Sequence, residues 1–231
     1  MSWREKAKRR AALEAVKLVQ DGYIVGLGTG STVAYAIKEI GRRIREENLR
    51  VLGVPTSNRS LFLAVECGIP LTTLYEHPTV DIDIDGADQI DLKLNLIKGV
   101  GGALTREKIV AASSRKVVIV ADETKLTDNL GERCPIPLEV LPFATPLVCS
   151  RIKSLGGKPV LRENKDSAGP FVTDNGNLII DADFGIISNP RELEAKLKAI
   201  PGVVETGLFL GIADVAYIGS ETSVRLLRRK E

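Results

Sequence analysis

The chain has 231 residues, 44% of them hydrophobic and 27% charged, with a formal net charge of +2. That length allows one domain with a substantial core, or one domain with a small insertion. The near-balance of charge gives no electrostatic case for nucleic acid or an anionic membrane, and no apolar run approaches bilayer-spanning length. In chain order, the first predicted element is an amphipathic helix. Its basic cluster Arg4–Arg10 precedes Ala11, Ala12, Leu13 and Val16 and reads by default as a solvated face. Lys8 lies on this helix within reach of the loop that ends the next strand. That strand, Tyr23–Gly28, reads as buried, and Thr29-Gly30-Ser31-Thr32 leads into an apolar-periodic helix from Val33. Glycines let the backbone approach an anion, and the first helical N–H groups with the Thr29, Ser31 and Thr32 hydroxyls can donate to phosphate. No lysine follows the last glycine, so this is not a Walker loop. The G-x-G-x-G spacing, and the lack of an acid ending the next strand Val51–Val54, argue against a dinucleotide fingerprint.

Further strands are predicted over 70–74, 79–85 and 116–121, separated by helical patterns, which gives a doubly wound, Rossmann-like α/β domain. From about residue 132 the rhythm changes. Strands Ile136–Leu141 and Pro159–Arg162 flank a helix Pro146–Leu155. Strands Phe171–Thr173 and Leu178–Asp181 flank the turn Asp174-Asn175-Gly176, and a helix Arg191–Ile200 precedes the strand Val203–Phe209. This approximates β-α-β-β-α-β, a split βαβ unit, and predicts a smaller ferredoxin-like α+β domain over 132–204. Ala213–Ile218 and Ser223–Leu227 are expected to return to the first sheet, so the larger domain is 1–131 plus 205–231. Glu163–Gly169 reads as an exposed loop and Leu226–Lys230 as a frayed end. Leu208 and Leu210 fit a core or a partner subunit equally well.

The densest chemistry lies between Asp81 and Lys108. An apolar/acidic alternation runs into Asp85-Gly86-Ala87-Asp88. Lys98 then opens a glycine-rich turn, and a helix follows with Glu107 near its start. Asp81-Ile82-Asp83-Ile84-Asp85-Gly86 begins like a calcium loop, but the twelfth position, which needs a bidentate acid, is Leu92. The period of two is a strand signature. A solvated acidic face covers Asp81 and Asp83. It does not explain Asp85 and Asp88 at the strand's carboxyl end, where open α/β sheets place their ligands. A base, an acid and oxyanion donors in one strand–loop–helix unit suit proton transfer next to a carbonyl.

Cys67, Cys134 and Cys149 are widely spaced with no C-x-x-C, so no disulfide framework is expected. The N-terminus has no apolar signal-peptide core, and the expected location is cytoplasmic. His77 is the single histidine, which nearly excludes a histidine-based metal or a serine–histidine hydrolase site.

Taken together, G-L-G-T-G-S-T at 26–32, D-G-A-D at 85–88, K-G-V-G-G-A-L-T-R-E-K at 98–108 and A-D-E-T-K at 121–125 closely resemble the type A ribose-5-phosphate isomerase family. The resemblance continues through T-D-N-G-N at 173–177 and P-G-V-V-E-T-G-L-F at 201–209. It implies interconversion of ribose 5-phosphate and ribulose 5-phosphate through an enediolate, in the non-oxidative pentose phosphate pathway, without metal or organic cofactor. It implies Glu107 as general base, with Asp85, Asp88 and Lys98 lining the reacting end of the sugar. Thr29, Gly30, Ser31 and Thr32 would take the phosphate, with Lys125 helping to bind substrate. Gly86, Ala87, Gly99, Val100 and Gly101 would complete the sugar's surroundings, with Lys8 near its phosphate. Two departures are visible: Val100 stands where the family often has another glycine, and Gln89 stands where an acid is common.

The chemistry fits these roles. Glu107 in a helix's first turn is favoured in its ionised, base-competent form. Lys98 and the Gly99–Gly102 amides can supply donors to an enediolate. The partners expected are a small phosphosugar and, as a homo-oligomer, further copies of the chain in a dimer or tetramer. Neither nucleic acid nor membrane is expected. Two other functions were weighed. A non-enzymatic sugar-phosphate sensor would carry a DNA-binding module, for which the residues before the phosphate-loop strand leave no room, and it would not need both Glu107 and Lys98. A nucleotide-cofactor oxidoreductase is disfavoured by the glycine spacing.

Overall fold

The computed structural model describes residues 1–164 and 168–229. In chain order the elements are α1 (Trp3–Val16), β1 (Ile24–Leu27), α2 (Val33–Glu47), β2 (Leu52–Pro55), α3 (Asn58–Glu66), β3 (Ile82–Asp85), β4 (Gln89–Ile90), β5 (Leu96–Ile97), α4 (Leu104–Ala112) and β6 (Val117–Asp122). They continue with β7 (Ile136–Val140), α5 (Thr145–Ser154), β8 (Lys158–Leu161), β9 (Leu178–Asp183), α6 (Pro190–Lys198), β10 (Val203–Thr206), β11 (Leu208–Phe209), β12 (Val215–Gly219) and β13 (Val224–Arg228).

The chain forms two compact units. The first comprises Met1–Ala87, Arg106–Lys125 and Gly211–Glu231. Its six-stranded sheet has the order β13-β12-β6-β3-β1-β2. All pairings are parallel except β12 with β13. β3 and β6 are buried along their whole length, as expected for central parallel strands covered on both faces. α2 buries Val33, Ala36, Ile37, Ile40 and Gly41, a helical stripe at intervals of three and four. α1 buries a face made mostly of alanines. Small side chains let it lie directly on the sheet: a Cβ on Gly219 of β12 would stand 2.0 Å from the Ala7 carbonyl.

The second unit comprises Asp88–Thr105 and Leu126–Leu210. Its four-stranded sheet is antiparallel with the order β10-β7-β9-β8. That is the β-α-β-β-α-β ordering of a ferredoxin-like unit, as expected. A three-stranded sheet β11-β5-β4 lies in the same unit. Its strands pair residues far apart in sequence, Leu208 with Ile97 and Phe209 with Leu96. This pairing draws residues 88–105 into the second unit, whereas the sequence division placed them in the first. Leu208 is fully buried in this unit's apolar core and Leu210 packs against it, so both are core residues.

Four further expectations differ from the structure. Asp83, read with Asp81 as a solvated acidic face, is fully buried in the central strand β3. Residues 70–74 form no strand, only a single bridge from Leu71 to Gly53 beside β2. Val172 likewise makes one bridge, to Leu178, in place of a strand over 171–173. Leu226–Arg228 are paired in β13 and not frayed, and Arg229 donates to the Gly211 carbonyl and to Asp214. The loop expected over 163–169 and the terminal Lys230 lie partly outside the described residues.

One buried acid organises the second unit. Glu139 in β7 has no exposure. Its carboxylate accepts from Thr173 Oγ1 at 2.9 Å, Asn175 Nδ2 at 3.0 Å and Asn177 Nδ2 at 2.8 Å, and also from Thr105 Oγ1. Replacing Glu139 by Ala strands these donors. The expected loss is roughly 3 kcal/mol, on the usual penalty for unsatisfied buried donors, read as a lower urea midpoint. A shift worth less than about 1 kcal/mol would show that the network is not structural.

Candidate active site

The first unit reverses its strand order between β1 and β3. Chain winding from β1 goes outward to β2 and then back across to β3, so the carboxyl ends of β1 and β3 flank a topological switch point, where open sheets bind ligands. Asp85 closes β3 with no exposure. Its Oδ1 accepts from Thr29 N at 3.1 Å and Gly86 N at 2.7 Å. Gly28 N meanwhile donates to the Ile84 carbonyl at 3.1 Å. A Cβ on Gly28 would fall 2.1 Å from Asp85 Oδ1, so only glycine fits there.

The loop beyond Gly28 leads into α2. Thr32 holds the N-cap position in helical conformation and makes no side-chain capping bond. A helix start without its own cap is receptive to an anion. Ser31 is exposed, and Gly30 and Thr32 are half-buried. The Thr29 hydroxyl lies 2.8 Å from Thr56 Oγ1 and donates to Ser57 Oγ at 2.7 Å, which holds the loop against the head of α3. Lys8 pairs with Glu5 at 3.1 Å, and Glu5 accepts from Tyr35 OH in the first turn of α2. The Tyr35 hydroxyl, with Lys8, holds the Glu5 carboxyl below its ordinary range. Lys8 is thereby fixed beside the helix that the Thr29–Thr32 loop opens.

Lys125 lies half-buried in a short 3-10 turn after β6. Asp122 caps that turn by accepting from Thr124 N at 3.0 Å. Because β6 runs parallel to β3, this turn leaves the same sheet edge as Asp85. Gly86 and Ala87, both half-buried, continue that edge. Glu107, 4% exposed, sits in the first turn of α4, where the helix dipole favours its charged form.

In the second unit, Lys98 follows β5 and is 2% exposed. Its Nζ stands 5.3 Å from the centre of the Phe209 ring, a contact that favours the ammonium form. Its N–H donates to the Gly207 carbonyl at 2.9 Å. Half-buried Asp88 accepts from Val100 N at 3.0 Å. Gly99 and Gly102 have φ of +105° and +79°, which only glycine adopts readily. Val100 does not share that left-handed backbone, and its side chain is 53% exposed. The turn therefore tolerates a branched residue there. Gln89 is buried and accepts from Gly131 N at 2.8 Å, which gives it a place in the scaffold.

The sequence-predicted residues thus form two sets. Asp85, Gly86, the Thr29–Thr32 loop and Lys125 share one edge of the first unit's sheet. Asp88, Lys98 and Gly99–Gly101 cluster in the second unit. Sequence reasoning missed Thr56, Ser57, Glu139, Arg162 and Asp181, which hold these groups. A Thr-Ser pair ending a strand was the one local signal, since Ser57 begins a capping box with Ser60.

An anion-receptive helix start and a buried carboxylate at one switch point place the chain among α/β enzymes that handle small phosphorylated substrates. A family model for ribose 5-phosphate isomerase A (phosphoriboisomerase A) matches residues 52–223. A ribose-5-phosphate isomerase A of Methanosarcina acetivorans is 52% identical over 97% of this chain and 95% of its own length. The solved ribose 5-phosphate isomerase A of Methanocaldococcus jannaschii superposes with a TM-score of 0.93 at 48% identity, covering 97% of this chain and 99% of that one. Another D-ribose-5-phosphate isomerase, solved in complex with phospho-erythronic acid, gives 0.96 at 42% identity, covering 99% of this chain and 100% of that one. The chain belongs to the ribose 5-phosphate isomerase A family.

Gly28 offers a direct check on the switch-point geometry. Gly28→Ala must displace the Asp85 carboxylate, an overpacking that costs about 1–3 kcal/mol. The expected outcome is a folded protein with turnover reduced at least about tenfold, the scale of misplacing a catalytic group. Unchanged kinetics in the folded variant would show that Asp85 need not be held where it is.

Proposed function

We propose that this chain interconverts ribose 5-phosphate and ribulose 5-phosphate through an enediolate, as a step of the non-oxidative pentose phosphate pathway. The observation that carries the reading is a carboxylate and an ammonium, Glu107 and Lys98, both almost fully buried in a chain of this family. Burial strengthens their electrostatic effect and keeps water from the proton.

Glu107 removes the proton from C2 of the open-chain aldose and returns it to C1, so one carboxylate serves both carbons. Negative charge develops on the carbonyl oxygen as the proton leaves. Lys98 and the glycine amides of the 99–101 turn, Gly101 foremost, stabilise that charge. Asp85 and Asp88 manage hydroxyl protons and assist ring opening. Gly30, Ser31, Thr32 and the start of α2 take the phosphate, with Lys8 and Lys125 adding positive charge and Thr29 bracing the loop. The relative solved with phospho-erythronic acid supports this assignment. That ligand carries a phosphate at one end and a carboxylate at the other, an anion where an enediolate would be. The same reading includes a cytoplasmic homo-oligomer. In support, Cys67, Cys134 and Cys149 are all thiols, burial pushes the Cys67 and Cys149 thiols up, and Phe62, Val65 and Tyr75 leave apolar surface exposed.

Glu107→Gln keeps shape and hydrogen bonding but cannot accept the proton. Turnover should fall at least about a hundredfold, the usual worth of general acid–base catalysis, with KM little changed. In heavy water the wild type should place deuterium on C1 of ribulose 5-phosphate, on one face only. Isomerisation with no label at any extent of reaction, forward or reverse, would rule out an exchanging base.

The phosphate loop makes a separate claim. Free ribose should be a very poor substrate, and phospho-erythronate should compete with ribose 5-phosphate. Replacing Ser31 and Thr32 together by Ala should raise KM more than it lowers kcat. Comparable efficiency on free ribose would reduce the loop to a structural turn.

A further inference from the structure

Arg162, just beyond β8, reaches the glycine turn from a distant part of the second unit. Its Nε donates to Asp181 Oδ2 at 2.8 Å and its Nη2 to Asp181 Oδ1, a bidentate pair. Its Nη1 donates to the carbonyls of both Gly99 and Val100, each at 3.0 Å. The guanidinium lies 5.8 Å from the centre of the Phe171 ring. That ring occupies the space beside Gly102, where a Cβ would meet it at 2.4 Å. Phe171 N in turn donates to the Arg162 carbonyl at 2.8 Å. The side chains of Arg162 and Asp181 are 14% and 21% exposed, so the pair is largely withdrawn from water.

These bonds fix two peptide planes. A trans peptide points its C=O and N–H in opposite directions. The peptide joining Gly99 to Val100 has its oxygen on the Arg162 cation and its N–H on the Asp88 anion. The peptide joining Val100 to Gly101 has its oxygen on the same cation, so the Gly101 N–H is directed away from Arg162. Glycines at 99, 101 and 102 make this turn prone to peptide flips. A cation shared by two successive carbonyls admits one orientation of both planes. It also polarises each peptide and strengthens the N–H opposite as a donor.

We propose that Arg162, held by Asp181 and Phe171, is a positioning residue for the isomerisation. It locks the Gly99–Gly102 turn in the orientation that presents the Gly101 amide to the developing oxyanion, the Val100 and Gly102 amides being engaged by Asp88 and by the Gly99 carbonyl. This rests on the assignment of that amide to the enediolate. Arg162 itself touches no reacting atom.

The test has two readouts, one independent of activity. In the amide NMR spectrum of the wild type, Gly101 should give a single sharp resonance. In Arg162→Ala it should broaden or split as the peptide flips. In kinetics, Arg162→Ala should lower kcat by roughly ten- to a hundredfold, a part of what loss of one oxyanion donor costs, with KM changed less than about threefold, the mark of an interaction made in the transition state. Added methylguanidinium should restore part of that kcat, and should not restore Lys98→Ala. Arg162→Lys keeps the charge and the stem but lacks the fork for four acceptors. It should show the same kcat-specific loss in milder form, and it serves as the test if the alanine variant does not fold. A sharp, unshifted Gly101 amide in either folded variant, or unchanged kcat, would overturn the proposal. A loss carried by KM alone would overturn it too, making Arg162 a binding residue. If Gly101 behaves as expected while wild-type protein fails to isomerise ribose 5-phosphate, the clamp stands and the functional reading falls.

Discussion

A carboxylate with no exposure occupies the space that any side chain on Gly28 would need. Burying a polar group there is supported by backbone N–H groups, among them those of Thr29 and Gly86, that point at it. From this contact much of the first unit's functional edge follows. β1 has to be followed by glycine, the chain has to turn at Thr29, and α2 has to start where that turn releases it. The Thr29 hydroxyl then fastens the loop to the Thr56 and Ser57 hydroxyls at the end of β2. Three parallel strands, β2, β1 and β3, are tied at their carboxyl ends by a handful of short polar contacts. The anion-receptive helix start and the acid are consequently one rigid construction.

The second unit solves a related problem with opposite charges at either end of one peptide. Asp88 takes the N–H of Val100 while Arg162 takes the Gly99 oxygen from the other side. A glycine-rich turn is weakly held by itself, because its backbone has many accessible conformations. Its internal bond, Gly102 N to the Gly99 carbonyl at 2.9 Å, is reinforced from outside. Glu139 does comparable work for α4. It accepts from Thr105 Oγ1, and Thr105 stands two residues before Glu107 in the same helix. Thr105, at the start of α4, is therefore held by a buried acid of its own unit.

Much of the architecture could be read from sequence because its signals are local. The stripe at Val33, Ala36, Ile37 and Ile40 announces α2, and continuous apolar runs announce β1 and β6. The split βαβ unit followed from element order alone. Two-residue strands left no such trace. β4 pairs with β5 in a short local hairpin, but β5 and β11 are joined across more than a hundred residues, Leu96 with Phe209, and no window of sequence contains that information. This is why residues 88–105 were assigned to the first unit, while their contacts place them in the second. The run 70–74 failed for the converse reason: it has strand-like residues, but it lies at the sheet margin, where only Leu71 finds a bridge.

The candidate site divides in the same way. Residues proposed to meet substrate lie in short dense motifs, because one loop must present several groups to one small molecule. Residues that hold those motifs are scattered, since support can come from any element the fold brings near. Arg162 is separated from Gly99 by 63 residues, and nothing around it in sequence distinguishes it from a surface arginine. Its partner Asp181 lies within an ordinary-looking strand, β9. What sets Arg162 apart is visible only in three dimensions: one guanidinium satisfies an aspartate and two consecutive carbonyls at once. Lysine, a point charge without a planar fork, cannot reproduce that. The departure at Val100 belongs to the same logic. Once carbonyls 99 and 100 are fixed from outside, the residue between them needs no glycine freedom, and its side chain is left in solvent. Variation inside a functional motif is tolerated where a distant residue has taken over the conformational constraint.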